Sequence, residues 1–279
     1  MVMEVAEALE RLEDEGFVVL ESLISATRAA ELDALARRAV VDCPATAEGT
    51  ASWEGGYSSL EGAINRMPEL AELVDHPLLL EIAAGALKTE AFEQYNGVAL
   101  KWCRPGCGAG ALHADWPQNQ TEPPWPETCP MLQSFWCLTP YTAANGATMC
   151  IPFSHHTRRG PSRDDYSHHE IPILCPAGSV VLFVSGMWHR QGANTSEDEH
   201  RMAANIAYTP TYWTRGSAST LPCPTQLGSP RSWVSRSCSG LALTTAARAD
   251  ARQALSGRSS SESFSTASTH AARPCTPAR

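Results

Sequence analysis

Gly178-Ser179-Val180-Val181-Leu182-Phe183-Val184, continuing into Ser185-Gly186-Met187-Trp188-His189, reads as a turn, a strand of five apolar residues, and a histidine just past its end. A strand with no polar alternation is one covered on both faces. From residue 94 onward the chain keeps this texture. Short β-prone runs at 98–103, 131–138, 147–152 and 202–208 are punctuated by Pro and Gly. Runs of this kind, without helices between them, predict a sandwich or jelly roll rather than alternating β and α units.

The first ninety residues read differently. Val5, Leu9 and Leu12 recur at helical spacing before Gly16, which is placed to end the helix, and Phe17-Val18-Val19-Leu20 follows as a buried strand. A second helix starts after Ser25 as N-cap, with Leu32, Leu35 and Val40 on one face. A third covers about 70–86, with Pro77 a break or a fresh start. The fold expected is therefore mainly β with flanking α, a β core preceded by N-terminal helices. Two long connections, 118–130 with four prolines and 157–170 rich in charge and His, are candidates for loops over a site.

The 279 residues, 43% apolar, suffice for one sizeable domain, expected over 1–215. The remainder, 216–279, is rich in Ser, Ala and Arg, with seven Arg against Asp250 and Glu262, and reads as a disordered tail. A formal charge of −9 argues against nucleic acid as a partner. The acidic opening residues differ from a signal peptide, and the most apolar stretch, at 78–84, is too short for a membrane span. The expectation is a cytoplasmic protein. Ten scattered cysteines form no Cys-x-x-Cys zinc signature; Cys103 and Cys107 are a possible redox or metal pair, and buried apolar packing is the plainer account.

Chemistry enters with Leu112-His113-Ala114-Asp115, where an extended backbone projects His113 and Asp115 from one face. His189 supplies a second imidazole at a strand end. Arg201, twelve residues later and just before another strand, offers a guanidinium fork to a carboxylate. Two imidazoles and one carboxylate occupy one face of an iron coordination sphere and leave positions open, whereas structural zinc closes its sphere with four protein ligands.

These residues, with Glu15-Gly16-Phe17-Val18-Val19-Leu20, the stretch Asn145-Gly146-Ala147-Thr148-Met149-Cys150-Ile151-Pro152-Phe153-Ser154-His155, and Trp188-His189-Arg190-Gln191-Gly192-Ala193-Asn194, make the chain resemble the phytanoyl-CoA dioxygenase family. That resemblance, from about Leu9 to Tyr212, implies a double-stranded β-helix (a cupin-like jelly roll) and an oxygenase dependent on Fe(II) and 2-oxoglutarate. It implies His113, Asp115 and His189 as metal ligands and catalytic centre, Arg201 as the anchor for the distal carboxylate of 2-oxoglutarate, and Lys101 and Gln133 as further co-substrate contacts. Three departures stand out: Phe153 replaces the Gly of a Pro-Gly-Ser-His motif, Gln191 replaces a Ser, and the step from His189 to Arg201 is one residue long, read as an insertion within 195–200.

The activity implied is hydroxylation of an aliphatic carbon in a small-molecule or lipid-like substrate, with O2 consumed and succinate and CO2 released. Desaturation, epoxidation and ring closure use the same oxidant. Asp115 disfavours halogenation, because related halogenases put a small residue there to admit chloride. Two other readings share the residues: a non-catalytic β-sandwich that binds metal or keto acid, and a different metal-dependent enzyme on the same barrel. Metal content and dependence on 2-oxoglutarate separate them.

Overall fold

The computed structural model describes residues 3–41, 58–95, 97–115, 121–128, 130–167 and 169–214. The expected tail at 216–279 lies outside them. The opening helix α1 (Val5–Asp14) buries Ala8 and Leu12. It ends as predicted: the amides of Glu15 and Gly16 both turn back to the Arg11 carbonyl, at 2.8 and 3.3 Å, and Gly16 takes a left-handed φ of 87°. Strand β1 (Phe17–Leu20) follows, then α2 (Ala26–Val41), whose first turn is capped by Ser25 Oγ accepting from the Arg28 amide at 3.1 Å. The buried stripe of α2 is Ala29, Leu32, Ala36 and Val40. Leu35, expected on that face, is only half-buried because the small Ala29 and Ala36 occupy the inward direction.

After β2 (Ser58–Leu60), a short α3 (Ala71–Val74) precedes α4 (Pro77–Leu87). Pro77 sits in the first turn of α4, so it starts a fresh helix, where its missing N–H costs nothing. The remaining strands are β3 (Phe92–Gln94), β4 (Ala99–Cys103), β5 (Leu132–Cys137), β6 (Thr148–Ile151), β7 (Ile171–Pro172), β8 (Val180–Val184), β9 (Trp188–Gln191) and β10 (Arg201–Pro210). A larger antiparallel sheet runs β1-β8-β5-β10-β4-β2, with β3 also on β10, and a smaller one runs β7-β6-β9. The two sheets form the double-stranded β-helix, and the N-terminal helices pack outside the larger one.

Alternation along the strands divides the larger sheet into two faces. Trp136 and Tyr208 point outward to the helices: the Trp136 ring lies 5.5 Å from His76, and the Tyr208 hydroxyl donates to the Val74 carbonyl at 2.9 Å. Lys101, Gln133, Phe135, Phe183, Arg201 and Asn205 belong to the opposite, inner face. With helices on one side and the small sheet on the other, all ten residues of β10 and all five of β8 are buried, which explains the unbroken apolar texture of β8. Trp102, Trp125, Trp136 and Trp188 are all buried. Among the described residues no helix is long and apolar enough to cross a membrane.

The turn into β8 depends on Gly178. Its φ is 85°, and a Cβ there would meet the Ile24 carbonyl oxygen at 2.2 Å. Its own carbonyl accepts from the Ile24 amide at 3.1 Å, tying the start of β8 to the entry of α2. Gly178→Ala is expected to cost about 2 kcal/mol or more, read as a lowered midpoint in urea unfolding, because both the left-handed backbone and the close approach exclude a methyl group.

Candidate metal centre

The segment carrying His113 and Asp115 runs beside the start of β9, and His113 pairs with His189 through two backbone hydrogen bonds of 3.0 and 2.8 Å. Directly opposed residues on adjacent strands share a face, so this pairing sets the imidazole rings 4.4 Å apart. The Asp115 amide donates to the Ser185 carbonyl at 3.0 Å, fixing the third member two residues along. One ligand atom from each of His113, Asp115 and His189 lies within 4.8 Å of the other two.

Each ring is held in one tautomer. Nδ1 of His113 donates to the Ala111 carbonyl at 2.9 Å, and Nδ1 of His189 donates to the Met187 carbonyl at 3.0 Å. Both Nε2 atoms are thereby turned toward Asp115 Oδ1, at 3.4 and 3.7 Å. The other carboxylate oxygen, Oδ2, accepts from Gln133 Nε2 at 2.8 Å, and Gln133 Oε1 accepts from Asn205 Nδ2 at 2.8 Å. The Asn205 bond fixes which end of the Gln133 amide meets Asp115, so a single carboxylate oxygen is presented toward the imidazoles.

The electrostatics match this arrangement. Burial opposes the charge on Asp115, but His189 and His113 outweigh it and hold the carboxyl below its ordinary pKa. Burial of His113 is likewise outweighed by its hydrogen bond to Asp115, which raises its pKa, whereas burial lowers that of His189. One carboxylate beside two imidazoles is a donor set that suits a divalent cation. No fourth His, Cys, Asp or Glu joins the three among the described residues. The site therefore fits an ion bound on one face, with positions left for exogenous ligands.

The alternate residues of the ligand strand face the other way. Leu112 and Ala114 pack with Trp125 and Trp188 into a buried cluster against Ile151. Trp125 belongs to one of the two long connections, and the other closes over it. The Trp125 amide donates to the Arg158 carbonyl at 2.8 Å, Arg158 donates back to the Trp125 carbonyl, and Arg158 pairs with Glu127 at 2.9 Å. Arg159 lies 4.8 Å over the Trp188 ring and pairs with Asp165 at 2.8 Å. The two loops thus form one layer beside the segment that carries His113 and Asp115.

Arg201, the first residue of β10, is 2% exposed and reaches across to the small sheet. Its Nε donates to the Gly146 carbonyl at 3.1 Å, its Nη2 donates to Gln191 Oε1 at 3.0 Å, and its guanidinium carbon lies 5.3 Å from the centre of the Tyr141 ring. Gln191, where the family motif carries Ser, therefore grips the guanidinium. Lys101 lies opposite Ala203 on the inner face and pairs with Glu61 at 3.1 Å. Gln133, which the resemblance implies as a co-substrate contact, hydrogen-bonds Asp115 and Asn205, a pairing that spacing along the sequence gives no means to find.

The drifted Pro152-Phe153-Ser154-His155 motif keeps its backbone, since Phe153 adopts a φ of 65° that a Gly would take without strain. Ser154 Oγ accepts from the Trp188 amide at 2.8 Å, anchoring β9. His155 and His156 donate to the Glu13 and Asp14 carbonyls, at 3.0 and 2.9 Å, and so cap the end of α1 as a pair. Neither belongs to the metal-binding set.

A family model described as phytanoyl-CoA dioxygenase matches residues 12–203. The chain belongs to the phytanoyl-CoA dioxygenase family. Within the wider set of relatives, "Dioxygenase af480" of Aspergillus fumigatus is 27% identical over 209 residues, which are 72% of this chain and 65% of that protein. The chain thus matches just under two thirds of that relative's length. Among solved structures, EctD from S. alaskensis, crystallised with bound Fe, superposes with a TM-score of 0.61 at 22% identity, covering 74% of this chain and 76% of EctD. SnoK, a non-heme alpha ketoglutarate dependent carbocyclase from nogalamycin biosynthesis, gives 0.59 at 22% identity, covering 75% and 87%. At these identities the likeness shows a shared fold.

One consequence of the Gln133 contact is measurable. Gln133→Leu, which keeps volume but removes the donor to Asp115, is expected to weaken divalent-metal binding about 10–100-fold in a direct titration with the circular dichroism spectrum unchanged.

Proposed function

We propose that the chain is an Fe(II)- and 2-oxoglutarate-dependent dioxygenase that hydroxylates an aliphatic carbon of a small-molecule or lipid-like substrate. O2 is the second co-substrate, and succinate and CO2 are the other products. The observation that carries this reading is the convergence of two tautomer-locked imidazoles and one oxygen of Asp115, with no fourth protein donor among the described residues. Family membership and a relative named as a dioxygenase support it.

His113, Asp115 and His189 would hold the iron. Bound there, the metal would supply the redox chemistry, coupling activation of O2 to oxidative decarboxylation of the keto acid. Arg201 holds the distal carboxylate of 2-oxoglutarate in a bidentate or shared fork, oriented by Gly146 and Gln191. Lys101 adds positive charge on the same inner face, and Gln133 keeps Asp115 turned toward the metal. Phe135 and Phe183, stacked with centroids 5.5 Å apart, and the contact of Phe183 with the His189 ring at 4.6 Å give the metal an apolar flank that limits water. Asp115 occupies the position a halide would need, so oxygen insertion is favoured over halogenation. EctD has been crystallised with 2-oxoglutarate and 5-hydroxyectoine, and SnoK is named as a carbocyclase, so substrates in the small-molecule range are the ones to screen first.

The test needs no substrate. Full-length protein loaded anaerobically with Fe(II) is expected to develop a visible metal-to-ligand charge-transfer band on addition of 2-oxoglutarate. No band in folded, iron-loaded protein would overturn the co-substrate assignment and favour another metal-dependent chemistry on this barrel.

A further inference from the structure

Buried packing was the plainer account of the cysteines, with Cys103 and Cys107 a possible pair; the structure brings a different pair of thiols into contact. Cys137, the last residue of β5, and Cys175, on the segment leading to β8, are both free, and their sulfurs are 3.5 Å apart. We propose that Cys137 and Cys175 are a disulfide-forming site, closed by peroxide, at the end of the barrel interior next to Arg201. The proposal does not depend on the reading of the metal centre.

The location follows from the register. Cys137 pairs with Ala203, two residues along β10 from Arg201, and lies on the same inner face. Cys175 pairs with Tyr141 through backbone hydrogen bonds of 2.9 and 3.2 Å, and Tyr141 is the ring against the Arg201 guanidinium. The backbone around the pair is pinned as well. The Cys137 amide donates to the Ser179 carbonyl at 2.9 Å, and the Gly178 amide donates to the Cys137 carbonyl at 2.8 Å. A disulfide has sulfurs about 2.05 Å apart, so closure requires a movement of roughly 1.5 Å, within the reach of side-chain rotation.

The two thiols are not equivalent. Cys175 retains 7% exposure while Cys137 has none. The contact between the two thiols holds the Cys175 pKa below its ordinary value, whereas burial pushes Cys137 up. Cys175 is therefore the nucleophile. Its thiolate attacks one oxygen of hydrogen peroxide, the O–O bond breaks, and the departing hydroxide takes a proton to become water, leaving a sulfenic acid. The Cys137 sulfur then attacks the Cys175 sulfur, the S–O bond breaks, and the hydroxyl leaves as a second water with the Cys137 proton. Two thiols lose two electrons and one peroxide is reduced to two waters.

The test is peptide mapping of full-length protein treated with hydrogen peroxide in buffer containing a metal chelator, then unfolded and alkylated without reductant. Cys137 and Cys175 are expected in one cross-linked peptide pair, lighter by two hydrogens than the separate peptides. The oxidised protein should melt about 5 °C or more above the reduced form. In Cys137→Ala, dimedone should label Cys175 instead. Recovery of Cys137 and Cys175 as separate alkylated peptides, or a cross-link confined to Cys103 and Cys107, would overturn the assignment on the wild-type protein alone.

Discussion

Asp115→Ala protein mixed anaerobically with Fe(II) and 2-oxoglutarate is expected to show no charge-transfer band, and to form no succinate when oxygen is then admitted. Asp115 is the one anion of the three ligands, and its Oδ1 faces both imidazole Nε2 atoms. Without it, two neutral imidazoles face a dication with no charge to offset, and the donor of Gln133 loses its partner. The loss should exceed the roughly 10–100-fold that accompanies removal of a group behind a ligand. The variant should remain folded, because Leu112 and Ala114, not Asp115, hold the segment in the Trp125 and Trp188 cluster. Near-ultraviolet circular dichroism checks this. The two histidines should differ under chemical rescue. The His113 side chain is 43% exposed and that of His189 is 8% exposed, so added imidazole should restore the band in His113→Gly and not in His189→Gly.

Arg201→Ala is expected to bind Fe(II) normally but to require about 100-fold more 2-oxoglutarate to reach half of the charge-transfer signal. Removing one partner of a buried, hydrogen-bonded charge pair costs about 2–5 kcal/mol, mostly through the charge left alone. Arg201→Lys should recover little, since an ammonium cannot reproduce a fork already aligned by Gly146 and Gln191. Unchanged co-substrate affinity in Arg201→Ala would transfer the anchoring role to Lys101.

The β texture was legible because an apolar run without alternation has few explanations other than a doubly covered strand: the reading of 180–184 coincides with β8, and that of 131–138 brackets β5. Ser25 and Pro77 were legible because capping and first-turn proline are local effects. His113, Asp115 and His189 stood out because their spacing along extended chain matches one chemical need. What the sequence hid are contacts set by register between distant strands. Gln133 meets Asp115 only because β5 runs beside β8 and β10, and Cys137 meets Cys175 across 38 positions. Leu35 gave way to Ala29 and Ala36 because hydrophobic periodicity cannot tell which of two adjacent stripes faces the core. The capping role of His155 and His156 was hidden too, since nothing nearby in sequence announces that their partners are the carbonyls of α1.

The strand's double allegiance, with Leu112 and Ala114 turned into the apolar cluster and His113 and Asp115 turned away from it, means that apolar packing anchors the segment that carries two of the three candidate ligands. Filling the site adds stability only through mass action. A trio of two imidazoles and one carboxylate also has little power to refuse rivals: cobalt, nickel and zinc sit above iron in intrinsic preference for such donors. Which metal occupies each newly made molecule is then decided by supply. Protein recovered from zinc- or nickel-rich growth would be whole, well folded and inert until its ion is exchanged.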